Sequence, residues 1–263
     1  MLSVRDLHRT YRRPRTSLFG PRPEVRALRG VSFDIERGRR FGIVGESGSG
    51  KSTLVRLLAM LDRPTAGTIS FDGTRVDNLP ERRLGFLRSR LQIVFQDPMG
   101  SLDPRMRVRD IISEPLGRDA QRYDRVAELL EAVGLPADAA RKYPHQFSGG
   151  QRQRISIARA LAPRPEVLIA DEAVSALDVL VRKQVLDLIA ELAEKYALTL
   201  VFVSHDLGVV RHVCDTVAVM RHGEIVEQGP VDDVYDDPRH PYTRELIAAA
   251  PSLRAALSEL DEA

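Results

Sequence analysis

Eight residues, Gly45-Glu46-Ser47-Gly48-Ser49-Gly50-Lys51-Ser52, fill every fixed position of the pattern G-x-x-x-x-G-K-[S/T]. The chemistry of that pattern is the binding of a nucleoside triphosphate. Its three glycines let the backbone curl so that successive N–H groups point at phosphate oxygens, and a helix starting at its end, from Thr53 onward, adds a positive dipole. Lys51 carries a charge able to reach the β- and γ-phosphates. The Ser52 hydroxyl suits one position around Mg²⁺, which takes oxygen ligands in an octahedron. Lysine stands only at positions 51, 142, 183 and 195 among 39 lysines and arginines, so a chain that otherwise writes arginine writes lysine in this loop.

Two further strand exits carry polar groups. Val167-Leu168-Ile169-Ala170 ends in Asp171-Glu172, and the C-terminal ends of strands are where α/β sheets bind ligands. Alone, two acids there are a solvated turn. Downstream of a phosphate loop, Asp171 is placed to hold Mg²⁺ and Glu172 to polarise the water that attacks the γ-phosphate. Leu200-Val201-Phe202-Val203 delivers Ser204-His205-Asp206 in the same manner, and an imidazole at position 205 can donate a hydrogen bond as charge develops on the phosphate. Phe147-Ser148-Gly149-Gly150-Gln151 has the S-x-x-Q spacing of a capping box. A cap needs no paired glycine, and Gly149 and Gly150 expose N–H groups at a helix N-terminus suited to an anion. With one phosphate cradle already present, this second one is expected to grip a phosphate held by another subunit.

These groups need strands that end and helices that begin at the right places. Arg40–Val44 reads as the strand into the loop, and apolar spacing through Leu58 reads as the helix behind it, stopped by Pro64. Ahead of them, Leu2–Leu7 and Val31–Ile35 alternate as half-buried strands, with a basic, proline-punctuated surface loop from Arg12 to Pro23. Gly67–Phe71 is a strand closed by the hairpin dipeptide Asp72-Gly73, and Leu91–Phe95 is another. From about Asp97 to Ala162 the pattern turns helical, with helices expected at Val108–Ser113, Arg125–Val133 and Gly149–Leu161. Strand and helix then alternate through Val167–Ala170, Val181–Ala193, Leu198–Val203 and Thr216–Met220, predicting a mostly parallel sheet covered by helices. From Gly229 onward short helices broken by Pro238, Pro241 and Pro251 are expected.

Composition narrows the class. With 263 residues, 43% of them hydrophobic, the chain can bury an ordinary core. A net charge of +2 gives no case for nucleic acid as a partner. One cysteine, Cys214, excludes an internal disulfide and a cysteine-ligated cluster. No apolar run approaches the ~18–20 residues of a membrane helix, and no charged-then-apolar signal opens the chain, so a cytosolic location is expected.

Taken in order, the phosphate loop, Gln96, the Phe147–Gln151 signature, Asp171-Glu172, Ser175-Ala176-Leu177-Asp178 and His205 resemble the ATP-binding subunits of ABC transporters across nearly the whole chain. The resemblance implies one ATP-binding domain over 1–263. It would comprise a P-loop NTPase core, an N-terminal antiparallel β-subdomain, an inserted helical subdomain at about 97–162 and a C-terminal extension from about 229. It implies that Tyr11 stacks on adenine, that Gln96 senses Mg²⁺ and the attacking water, and that Asp178 lies at a subunit contact. Two such subunits, identical or homologous, would sandwich two ATP head to tail beneath two membrane permease subunits at the cytoplasmic face, serving a solute-binding protein indirectly. Phe147 replaces the usual leucine, and Ala173-Val174 stands where Pro-Thr is usual. Within the family, Val94–Pro98 with Ser101–Pro104, the insert after Tyr11 and His240-Pro241-Tyr242-Thr243 resemble the oligopeptide and dipeptide importers, whose relatives include nickel importers. Some of those carry a cysteine-rich iron–sulfur segment, which a chain with Cys214 alone should lack. The alternatives are a non-transport ATPase of the same architecture, such as an accessory subunit of a phosphonate-degrading complex, and a regulatory module that binds ATP without hydrolysing it.

Overall fold

The computed structural model describes residues 1–12, 24–117 and 121–249, so the basic loop after Arg12 and the end of the tail, Pro251 included, lie outside the described residues. In chain order the elements are β1 (Leu2–Arg12), β2 (Glu24–Ile35), β3 (Arg40–Val44), α1 (Lys51–Leu58), β4 (Ala66–Phe71), β5 (Thr74–Arg75), α2 (Gly85–Arg90), β6 (Leu91–Val94), α3 (Pro98–Ser101), α4 (Val108–Ser113), α5 (Arg122–Ala132) and α6 (Gly149–Leu161). There follow β7 (Val167–Asp171), α7 (Val179–Lys195), β8 (Thr199–Ser204), α8 (Leu207–Val213), β9 (Thr216–Arg221), β10 (Glu224–Pro230), α9 (Val231–Asp236) and α10 (Pro241–Ala249). Two compact units result. Among the described residues, the first draws on Met1–Leu87 and the chain from Ser204 onward, the second on Arg88–Val203.

The first unit holds an antiparallel sheet in the order β2-β1-β4-β5. Its apolar residues Leu2, Val4, Leu7, Phe33, Ile35, Ile69 and Phe71 are buried, as one face of alternating strands requires. The β4–β5 turn runs through Asp72 and Gly73 at φ 48° and 74°, the double positive that an Asp-Gly hairpin supplies. The same unit holds β3 parallel to β9, with Val44 opposite Val219, and β10 antiparallel to β9. Arg40 at the start of β3 is tied to Asp215 ahead of β9, its Nη2 donating to Oδ1 at 2.6 Å and its backbone N–H to Oδ2 at 3.1 Å. Burial pushes the Asp215 carboxyl up, but the hydrogen bonds and charge of Arg40 outweigh it and hold the group below its ordinary value. Cys214 beside it is buried, and burial first, then the Asp215 charge, drive its thiol pKa far upward against the opposing Arg40.

In the second unit β6, β7 and β8 are parallel neighbours, with Val94 opposite Ala170 and Asp171 opposite Val203. Residues 167–170 and 200–203 are buried without exception, the continuous apolar runs of strands covered on both faces. α4, α5 and α6 pack on one another through Val108, Ile111, Ile112, Val126, Leu129, Ile155 and Ile157, and Arg125 fastens α5 to the end of α6 by donating to Leu161 O at 3.1 Å.

Three expectations are corrected. α1 ends at Leu58 and not at Pro64, because the chain leaves the helix through Met60 in the left-handed region (φ 53°), with Leu61 N–H closing on Arg56 O at 2.9 Å. The tail's expected short helices are present as α9 and α10, but β10 reaches Pro230, so they begin at Val231 and not at Gly229. Pro241 starts α10 where it was expected to break a helix, proline being suited to a first helical position. Among the described residues no helix is long and apolar enough to cross a membrane.

Candidate functional site

The phosphate loop leaves the buried end of β3 and enters α1, and its glycines are demanded by their surroundings. A Cβ on Gly45 would lie 2.2 Å from Met220 O, and one on Gly50 would lie 2.7 Å from Ala27 O. Gly48 and Gly50 hold φ of 81° and 111°, a region that side chains disfavour. Gly50 caps α1 with no side-chain hydrogen bond, so the helix start offers its N–H groups to a ligand. Lys51 is 4% exposed and its ammonium lies along the loop, donating to Gly45 O at 2.6 Å and Glu46 O at 3.0 Å. Ser49 is equally buried, and its Oγ has no hydrogen-bond partner among the described residues. Ser52 is exposed and Thr53 half-buried in the first turn; Ser47 is exposed in the loop. The loop's concave backbone, buried ammonium and orphaned hydroxyl fit a triphosphate.

Two contacts that hold this loop from behind were not read from the sequence. Gly223 N–H, in the β9–β10 turn, donates to Ser49 O at 2.9 Å, and Glu46 N–H donates to Tyr242 Oη of α10 at 3.0 Å. Resemblance singled out Tyr242 only as part of a tail motif; nothing local in the sequence tied it to the loop. Tyr11, near the end of β1, carries the Arg9 guanidinium 4.5 Å from its ring centroid and donates its hydroxyl to Asp62 Oδ2 at 2.8 Å. One face of that ring is thus already covered by a cation. His205 is exposed directly after β8, and Asp206 behind it caps α8, its Oδ1 accepting from Gly208 N–H at 2.8 Å and Val209 N–H at 3.3 Å.

In the second unit, parallel pairing brings Gln96 and the acidic pair to the same end of adjacent strands. Gln96 lies two residues past β6 and is exposed, while Asp171 ends β7 and Glu172 follows, both half-buried. Glu172 has φ 47°, a conformation costing an ordinary residue about 1–2 kcal/mol. It is held there by its N–H on Val203 O at 3.0 Å and by the N–H and hydroxyl of Ser175 on its carbonyl at 3.1 and 3.0 Å. Ala173 and Val174, the departures from the usual pattern, are buried at 2% and 4%, so they fill this turn with apolar volume. Gln96, Asp171 and Ser52 all offer the hard oxygen donors that Mg²⁺ requires.

The signature caps α6 as its spacing implies, with Gln151 N–H donating to Ser148 Oγ at 3.3 Å and Ser148 N–H to Gln151 Oε1 at 3.1 Å. Ser148, Gly149 and Gln151 are exposed. Gly150 is buried, and a Cβ on it would lie 2.3 Å from Val181 Cγ1, so packing against α7 explains this glycine without an anion. Asp178 is exposed and caps α7, accepting from Val181 N–H at 3.0 Å. The expected site residues therefore divide between the units: the phosphate loop, Tyr11 and His205 in the first, Gln96, the signature, Asp171, Glu172 and Asp178 in the second.

Comparison with known proteins gives the same reading. The ABC transporter family profile matches residues 28–175, and that of the oligopeptide/dipeptide transporter C-terminal region matches 226–263. The chain is 45% identical to the di/tripeptide transport ATP-binding protein DppF of Pseudomonas aeruginosa over 96% of its length and 80% of that protein's. It is 48% identical to the oligopeptide transport ATP-binding protein AppF of Bacillus subtilis over 97% of its length and 79% of that protein's. Among solved structures it resembles the dimeric ATP-binding cassette MJ0796 bound to ADP and Pi in a post-hydrolysis state, with a TM-score of 0.77 at 30% identity over 88% of this chain and 99% of that one. It also resembles cbiO1 of Clostridium perfringens, part of the cbiONQ transporter complex, with a TM-score of 0.77 at 28% identity over 98% of both chains. The chain belongs to the ABC transporter family, as one of its ATP-hydrolysing subunits.

Proposed function

We propose that this ATPase energises the import of peptides through partner membrane permease subunits, working as a dimer with a second ATP-binding subunit. The observation that carries the reading is the match of residues 226–263 to the oligopeptide/dipeptide transporter C-terminal region, on a chain whose relatives are named for peptide transport. A phosphonate-related role has no comparable support.

In this reading the loop from Gly45 to Thr53 holds the phosphates of ATP, and Lys51 exchanges its carbonyl partners for phosphate oxygens. Ser52, Gln96 and Asp171 would hold Mg²⁺, which supplies charge neutralisation to the phosphates. Glu172, fixed by its constrained backbone, orients and polarises the attacking water, and His205 donates to the developing charge. Tyr11 contacts adenine with the face not covered by Arg9. Ser148, Gly149, Gly150 and Gln151 present the start of α6 to a phosphate on the other subunit, and Asp178 lies at that contact. The helical segment of about 97–162 passes the motion to the permease, placing the subunit at the membrane periphery on the cytoplasmic side, with a solute-binding protein acting upstream.

The test is uptake of labelled di- and oligopeptides by cells carrying Lys51→Ala in place of the parent chain. ATP-dependent uptake should be lost while the protein persists. Normal peptide uptake, with loss of nickel uptake or of growth on phosphonate, would overturn the solute and leave the ATPase standing.

A further inference from the structure

The peptide unit that joins Gly45 to Glu46 opens the phosphate loop, and it is held at both ends. Its carbonyl oxygen accepts from Lys51 Nζ at 2.6 Å, and its N–H donates to Tyr242 Oη at 3.0 Å. Tyr242 comes from 196 positions further along the chain and is 1% exposed. Burial pushes its hydroxyl pKa up, so the group stays a neutral phenol able to accept from the loop.

The ring is itself fixed. The Arg221 guanidinium sits 4.6 Å from its centroid. The Glu227 carboxylate on β10 accepts from Arg239 N–H at 2.8 Å and His240 N–H at 3.1 Å, and His240 Nδ1 accepts from Tyr242 N–H at 3.2 Å. Pro241 then starts α10 with Tyr242 in its first turn. An unbroken series of held groups runs from β10 through the tail motif to the loop.

We propose that Tyr242 is a positioning residue of the phosphate loop, fixing the plane of the Gly45–Glu46 peptide and so setting the loop's affinity for the triphosphate. A peptide plane has one soft motion, rotation about its flanking bonds, which re-aims its carbonyl and its N–H together. With Oη in place that rotation breaks a partly buried hydrogen bond. Without it the plane can turn, the oxygen on which Lys51 rests moves with it, and the loop must be ordered at the moment of binding. A loop that is competent only part of the time binds more weakly by that fraction. The tail matched to the oligopeptide/dipeptide transporter C-terminal region thereby acts on the nucleotide site of its own subunit.

The proposal rests on the ATPase reading, and Tyr242→Phe tests it by removing the hydroxyl and keeping the ring. Loss of about one hydrogen bond's net worth predicts a Kd and a KM for Mg-ATP raised roughly five- to tenfold, with kcat within about twofold of the parent. A variant that melts lower yet keeps the parental KM would show a purely structural hydroxyl and overturn the proposal. Should Tyr242→Phe not fold, Glu227→Gln decides: loosening the clamp behind Tyr242 should weaken Mg-ATP binding by roughly two- to threefold, and parental affinity would overturn the proposal. A parent chain that binds no Mg-ATP would remove the ATPase reading; a parent that binds beside a Tyr242→Phe that binds equally well removes only the role of Tyr242.

Discussion

Replacing Gly150 by alanine separates the two explanations of the paired glycine behind Ser148. The new methyl would stand 2.3 Å from Val181 Cγ1, the third residue of α7. Carbon atoms in contact prefer about 3.5–4.0 Å, so more than about 1 Å of displacement must be found. Val181 has little freedom to supply it. A helical valine strongly prefers one χ1 well, and the Val181 N–H is fastened to Asp178 Oδ1 at 3.0 Å, which resists sliding the start of α7. Overpacking of this kind costs about 1–3 kcal/mol, and for a chain of this size each kcal/mol lowers Tm by roughly 2–4 °C. Gly150→Ala should therefore melt about 2–12 °C below the parent. Val181→Ala removes the obstructing methyls, and in the double variant the two losses should fail to add by about 1 kcal/mol or more. Thermal melts of the four proteins by circular dichroism read this directly. A Gly150→Ala that melts with the parent, or a double variant at the sum of the singles, would refute the packing argument and return Gly150 to a purely anion-binding role.

Glu172→Gln should keep Mg-ATP binding while slowing phosphate release by about 10²–10⁴-fold, since the amide preserves the shape of the constrained turn and loses the carboxylate. Equal release rates in variant and parent would take Glu172 out of the mechanism. For the Arg40–Asp215 pair the folded carboxyl titrates below its unfolded value, so its contribution is full above the ordinary carboxylate range near ~4 and is lost as pH falls through the lower folded value. The Tm gap between parent and Asp215→Asn should accordingly be widest near neutral pH and close in acid; a gap that stayed constant with pH would show that the charge is not what holds this contact.

The phosphate loop, the acidic strand end and the S-x-x-Q cap were legible because each is a local pattern whose geometry is dictated by neighbours within a few residues. β3, α4 and α6 coincide with the expected spans because their apolar pattern is local, and in α6 the cap lies beside it. What escaped has distant causes. β10 runs half-exposed as an edge beside β9, so it carries no clean alternation, and only pairing reveals it. Met60 turns left-handed with no glycine or asparagine to announce it. The positive φ of Glu172 belongs to the same class, imposed by Val203 and Ser175 and not by any preference of glutamate. The supports of the phosphate loop at Gly223 and Tyr242 come from the far end of the chain, where a single sequence offers no link to residues 45–52.

The burial of Cys214 bears on how this subunit can be watched at work. Alkylating reagents attack the thiolate, and a buried thiol whose ionisation is driven upward by burial and by the Asp215 charge presents little of it. The native chain should therefore react slowly with maleimide dyes without any prior cysteine removal. A cysteine placed at Leu180, which is 55% exposed, would carry a single fluorophore on an otherwise unmodified protein. The proposed approach of two subunits on ATP binding should then be readable as energy transfer between singly labelled copies.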